Sequence, residues 1–127
     1  VIDDVADLTE ILSEVLRSLG HQVATASEGS QGIALARNDH PDVLLCDIGL
    51  PGMNGYEIAE AFRKDNKLKS VFLIALSGYA QPEDLEQSKR SGYHLHLAKP
   101  VNLDRLKRAL AEAYFYTNKI NDPFAEE

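Results

Sequence analysis

The stretch Val43-Leu44-Leu45-Cys46-Asp47, running on into Ile48-Gly49-Leu50-Pro51-Gly52-Met53-Asn54-Gly55, decides the fold. Four apolar residues in a row, closed by an acid and then by Gly, Pro and Asn, predict a strand covered on both faces and ended by a loop. Residues 71–76 form a second continuous apolar run, and residues 93–98 read as a further strand. Upstream, residues 23–26 read as a half-buried strand and Val1-Ile2 as the end of another. Helical patterns separate these runs. Leu8, Ile11, Leu12, Val15, Leu16 and Leu19 recur as one apolar stripe. Asp7 with Glu10 has the spacing of a capping box for that helix, and Gly20 supplies its stop. Residues 33–37, 56–64, 82–91 and 103–114 predict four more helices, with Pro82 suited to a first turn and Asn102 to an N-cap.

A βα unit repeated five times implies an α/β fold, a doubly wound parallel sheet with helices on both faces. Right-handed crossovers leave few topologies, and the five-stranded order 2-1-3-4-5, flavodoxin-like, is expected. The 127 residues suffice for one domain with a real core. Residues 1–116 are expected to form it, and the polar stretch 117–127, with Pro123, to be a tail or linker. Only two residues precede the acidic pair Asp3-Asp4, against about 5–6 in a mean strand, so the first strand is expected to be truncated.

Composition excludes several classes. The net charge of −7 leaves no basic patch for nucleic acid. The longest strictly apolar run is far short of the roughly 20 residues of a membrane helix, and no signal peptide is visible. The single cysteine rules out an internal disulfide and suits a reducing, cytoplasmic setting. Cys46 precedes Asp47 on a buried strand, faces the opposite way and reads as core.

Ligands of open parallel sheets bind at the carboxyl ends of the strands. Those ends carry Asp3 and Asp4, then Asp47, then Ser77, then Lys99. Three carboxylates at about 4 Å and an effective dielectric near 20 repel by roughly 4 kcal/mol per pair. A divalent cation relieves that, and hard oxygen ligands in a partly hydrated site suit Mg²⁺. With Lys99 beside the ion the site is neutral, and an anion such as a phosphoryl group can approach.

On these residues the chain resembles the receiver domains of two-component response regulators, from Val1 to about Tyr114. The motifs that carry the resemblance are Asp3-Asp4, the run from Asp47 to Gly55, Ala75-Leu76-Ser77-Gly78 and Lys99-Pro100. The resemblance implies a phosphorelay module, a phosphoprotein and not a turnover enzyme. Asp47 would take a phosphoryl group from a phosphohistidine on a sensor histidine kinase or a histidine phosphotransfer protein. Asp3, Asp4, Asp47 and the backbone carbonyl of Gly49 would hold Mg²⁺. Ser77 and Lys99 would bind the transferred group, and Lys99-Pro100 would be a cis peptide. Ser77 and His96 fall at the switch positions; His96 stands where relatives usually carry Phe or Tyr, which changes the polarity of any switch. Tyr79 is placed to cover part of the path of an attacking water. The segment 76–84 looks like receivers fused to hybrid sensor kinases or methylesterase-like signalling proteins, and the chain is expected in the cytoplasm, alone or as the cytoplasmic part of a larger membrane-bound sensor.

Two alternatives share the topology. A Mg²⁺-dependent aspartyl-phosphate phosphatase or phosphotransferase would want a second acid two residues after the nucleophile, where Gly49 stands. A flavin protein would need a phosphate loop where Asp3-Asp4-Val5-Ala6-Asp7 would repel the phosphate. His94 and His96, at i and i+2 on one expected strand face, read as structural for want of a third ligand. Helix 82–91 has Leu85 as its one large apolar residue, which fits either a segment that is not a helix or a weakly anchored helix on a surface that changes with phosphorylation.

Overall fold

The computed structural model describes residues 1–50, 52–78 and 81–121, with side chains to Thr117. Pro51, Tyr79 and the end of the expected tail, 122–127, lie outside the described residues.

Among the described residues, three regular strands form one parallel sheet in the order β1 (Val43–Asp47), β2 (Phe72–Ser77), β3 (Leu95–Ala98). The two strands expected upstream contribute isolated parallel bridges instead: Ile2 pairs with Ala26 on one side and with Cys46 on the other. Backbone bonds from Ile2 N to Leu45 O (2.8 Å), Asp47 N to Ile2 O (2.8 Å) and Asp3 N to Ala26 O (3.1 Å) hold this segment beside β1.

Five helices among the described residues cover the sheet: α1 (Ala6–Ser18), α2 (Gly29–Asp39), α3 (Gly55–Lys64), α4 (Pro82–Ser91) and α5 (Leu103–Asn121). Alternation along the strands sorts the core into two layers. Leu44 and Cys46 of β1 and Leu73 and Ala75 of β2 meet Ile33, Ile58 and Phe62 of α2 and α3. Leu45, Phe72, Ile74 and Leu76 meet Leu12 and Leu16 of α1 and Leu106, Ala109 and Ala113 of α5 on the other face. Cys46 is fully buried, and burial pushes its thiol up to about 12, so it is a core residue. No helix among the described residues is long and apolar enough to cross a membrane.

Several local expectations are corrected. The Asp7/Glu10 capping box does not form: α1 starts after Val5 with no side-chain cap. A capping box closes at α3, where Asn54 and Glu57 exchange bonds. Ile11 leaves the α1 stripe and is 58% exposed, while Leu12 and Leu16 carry the contact. α5 continues to Asn121, so the stretch from Thr117 begins inside a helix. Pro82 does open α4, and the Asn102 side chain accepts from Arg105 N at 3.1 Å. His94 and His96 do not share a face. His94 precedes β3 and stacks on Phe72 with ring centroids 4.4 Å apart, beside Tyr116 of α5. His96 points to Ser88 of α4, 3.3 Å away.

Candidate functional site

Strand ends build the site. Asp47 closes β1, Ser77 closes β2, and Lys99 follows β3 directly. The Lys99 N–H donates to the Ser77 carbonyl at 2.8 Å, and Ile48 N donates to Leu76 O at 3.0 Å, so the three ends are tied together. The Lys99-Pro100 peptide is cis. Asp3 joins them because Ile2 lies beside β1.

Lys99 Nζ lies 3.0 Å from Asp3 Oδ2 and 3.5 Å from Asp47 Oδ1. The other Asp3 oxygen accepts from Val5 N at 2.9 Å. Asp47 Oδ1 also accepts from Gly49 N at 3.1 Å. Asp3 and Asp47 are buried and Asp4 is exposed, yet one carboxylate oxygen from each lies within 4.8 Å of the others. A groove of about 510 Å³ leads from Asp3 and Asp4 along α1, past Thr9, Ser13 and Glu14.

Electrostatics at the site are unbalanced. Burial pushes the Asp47 carboxyl above its ordinary value, and the Asp3 charge adds to this, against the Gly49 N–H and Lys99. For Lys99, burial pulls the ammonium down, but its bond to Asp3 and the Asp47 and Asp3 charges outweigh it and the net shift is upward. Three carboxylates against one ammonium leave a formal surplus of two negative charges at neutral pH. An all-oxygen donor set, part buried and part open, with that surplus fits a divalent hard cation.

Of the residues singled out in the sequence, Asp3, Asp47 and Lys99 are brought together by direct contacts, and Asp4 joins the carboxylate cluster. Ser77 sits buried on the same rim at the end of β2. His96 lies lower on β3, opposite Ala75. Gly49 contributes an N–H donated to Asp47 Oδ1. Two supports were not legible. Gly55 packs so closely under the site that a Cβ there would lie 2.5 Å from Ile48 Cα and 2.8 Å from Asp47 O. The buried Tyr93 hydroxyl donates to Gly55 O at 2.7 Å. The Gly of the Asp47–Gly55 run was the available signal for the first; nothing local marks the second.

A family model described as the response regulator receiver domain matches residues 1–111. The chain is similar to the Pseudomonas aeruginosa protein PilH, 34% identical over 110 residues, covering 87% of this chain and 91% of that protein. It is 28% identical to the sporulation initiation phosphotransferase F of Bacillus subtilis, covering 87% of each chain. Its structure is similar to that of the Vibrio cholerae chemotaxis protein CheY4, with a TM-score of 0.84 and 28% identity over 88% of this chain and 93% of that one.

Proposed function

The chain belongs to the response regulator receiver domain family, a family of two-component signalling modules with a parallel α/β fold like that of CheY, and from that premise we propose that Asp47 is its phosphoacceptor. The observation that carries this reading is the Lys99 ammonium set between Asp3 and Asp47, at 3.0 and 3.5 Å. The Asp47 carboxylate attacks the phosphorus of a phosphohistidine on a sensor kinase or phosphotransfer protein, and the N–P bond breaks as the O–P bond forms. Such transfer needs an in-line nucleophile and charge stabilisation and little else from the protein. Lys99 offsets charge on the incoming group, and Ser77 receives one of its oxygens. Asp3, Asp4, Asp47 and the Gly49 carbonyl hold Mg²⁺, which when bound supplies charge neutralisation for the phosphoryl oxygens. Asp3 is kept in place for this by Val5 N and Lys99.

Residues 1–116 act as the receiver unit, in the cytoplasm, with the five-stranded order 2-1-3-4-5 as the extension of the Ala26–Ile2–Cys46 bridges. The phosphorylated state changes a surface through Ser77 and His96, for a fused or separate output. A phosphatase or phosphotransferase reading is disfavoured by Gly49, which offers Asp47 a backbone N–H and no acid.

The test is incubation with acetyl phosphate and Mg²⁺, followed by intact mass. Wild type should gain one phosphoryl group and Asp47→Asn none. Equal labelling of both would remove Asp47 from the role.

A further inference from the structure

The loop from Asp47 to α3 carries Gly49, and it is closed at its base. Ile48 N donates to Leu76 O at 3.0 Å, and Gly55 N donates to Ile48 O at 3.0 Å. Ile48 and Leu50 are buried, so apolar side chains of the loop are drawn into the core beneath it. Gly55 lies against Asp47 O and Ile48 with no room for a Cβ. In a close-packed interior, any shift of the α3 start is therefore felt at the backbone of Asp47 and Ile48.

A side chain from outside the loop reaches this base. Tyr93 stands two residues before β3 and 38 positions from Gly55. It is 4% exposed, and its hydroxyl donates to Gly55 O at 2.7 Å. The Cys46 thiol donates to Asp47 O at 3.4 Å and is in hydrogen-bonding contact with that hydroxyl. Burial, and then the neighbouring Cys46, hold the Tyr93 phenol far above its ordinary range, so it stays a donor.

A phenyl ring alone would fill the same place in this core layer. A hydroxyl there is costly unless it is bonded. What the hydroxyl adds is a bond to the first carbonyl of α3, at the point where the loop closes on Ile48. The loop is thus held from two sides: its own Gly55 N on Ile48 O, and Tyr93 on Gly55 O.

We propose that Tyr93 is a positioning residue for the site: its hydroxyl fixes the α3 start through Gly55, and so holds Gly49 where its N–H meets Asp47 Oδ1 and its carbonyl serves the metal. Tyr93 acts through the loop and touches neither the metal nor the phosphoryl group. The proposal rests on the reading of the Gly49 carbonyl as a Mg²⁺ ligand beside Asp47 as phosphoacceptor.

Mg²⁺ titration followed by NMR at the Gly49 amide, with no phosphodonor present, tests it. Tyr93→Phe keeps the ring and loses the bond, and should raise the Mg²⁺ Kd by roughly three- to tenfold. Its labelling by acetyl phosphate should be slower at low Mg²⁺ and restored at saturating Mg²⁺. Leu106→Val, in the other core layer, loosens the fold without touching the loop and should leave the Kd unchanged. An unchanged Kd in Tyr93→Phe, an equal rise in Leu106→Val, or slow labelling that saturating Mg²⁺ does not restore would each overturn the proposal. Failure of the Asp47 reading shows itself separately, as labelling of Asp47→Asn, because the Mg²⁺ titration involves no transfer. Should Tyr93→Phe fail to fold in buffer, the same comparison in sucrose, which favours burial, decides.

Discussion

Lys99 and Asp3, 96 positions apart in the chain, share a hydrogen bond of 3.0 Å. The Asp3 side chain is fully buried and that of Lys99 is 23% exposed. Removing the ammonium leaves a buried carboxylate facing two others. Lys99→Met should therefore lower stability at neutral pH in metal-free buffer, by roughly 1–3 kcal/mol given the partial exposure of the lysine. Urea unfolding in the presence of a chelator measures this. Added Mg²⁺ should recover part of the loss, and no loss at all would mean the ammonium does not compensate the cluster.

Asp47→Asn should have the opposite sign. Burial and then the neighbouring Asp3 hold the Asp47 carboxyl above its unfolded value. A carboxyl raised on folding binds more protons when folded, so stability falls as pH rises from the unfolded pKa through the folded one. The variant should therefore be more stable than wild type at pH 7 without metal, by roughly 0.5–2 kcal/mol. The gain should vanish as pH falls toward 3.8. Thermal melts across that range are the check, and a variant that is less stable at pH 7 would contradict it.

Mg²⁺ should raise the melting temperature of wild type, because a ligand bound only by the folded state adds RT ln(1 + [L]/Kd). At one hundred times Kd the gain is about 2.7 kcal/mol. Asp4→Ala, at the exposed member of the cluster, should shift the response to higher Mg²⁺ without altering the metal-free melt by more than about 0.5 kcal/mol. A response unchanged by the substitution would take Asp4 out of the site.

Gly55→Ala should destabilise the fold by about 1–3 kcal/mol, since the added methyl meets backbone and not a movable side chain. Because the clash is with Ile48 and Asp47 O, labelling by acetyl phosphate should slow as well. Full stability would show that the α3 start can shift away from β1 at little cost.

His94 gives the fold an acid-sensitive step. Burial, and then the Arg63 cation, hold its imidazole down at about 4 from an ordinary 6.5. The unfolded chain then binds the extra proton between those values, so stability is full above pH 6.5 and declines as pH falls toward 4. The ring is partly exposed, so solvent screening limits the loss to on the order of 1–2 kcal/mol. His94→Gln keeps an acceptor for Leu73 N, which donates to the ring at 3.0 Å. It should flatten the slope in denaturant unfolding at pH 4.5 against 6.5; an unchanged slope would place the acid sensitivity elsewhere.

What the sequence determined by itself is what repeats or stops within a few residues. Continuous apolar runs marked β1 and β2, Pro82 and Asn102 marked helix starts, and the acids and the lysine after those runs marked one rim. The poverty of α4 in apolar residues was equally local. Tertiary structure decided whatever depends on competition for a distant partner. Asp7 and Glu10 had the spacing of a capping box, but the chain ahead of α1 is drawn against β1, and Asp3 binds Val5 N and Lys99. His94 and His96 matched a two-residue period, yet β3 begins only at Leu95, and the stack on Phe72 draws His94 to the α5 side. Ile11 fitted the stripe by period, and only the placing of α1 against Leu45 and Ile74 exposed it. Val1-Ile2 and residues 23–26 had strand-like composition, but regular pairing there is confined to single bridges. Arg63 stands near the end of α3, and its contacts arise because carbonyls of residues 69, 71 and 92 converge on it. Backbone propensity and apolar period act over one or two turns, whereas a buried hydrogen bond is settled by which groups the finished packing brings within 3 Å.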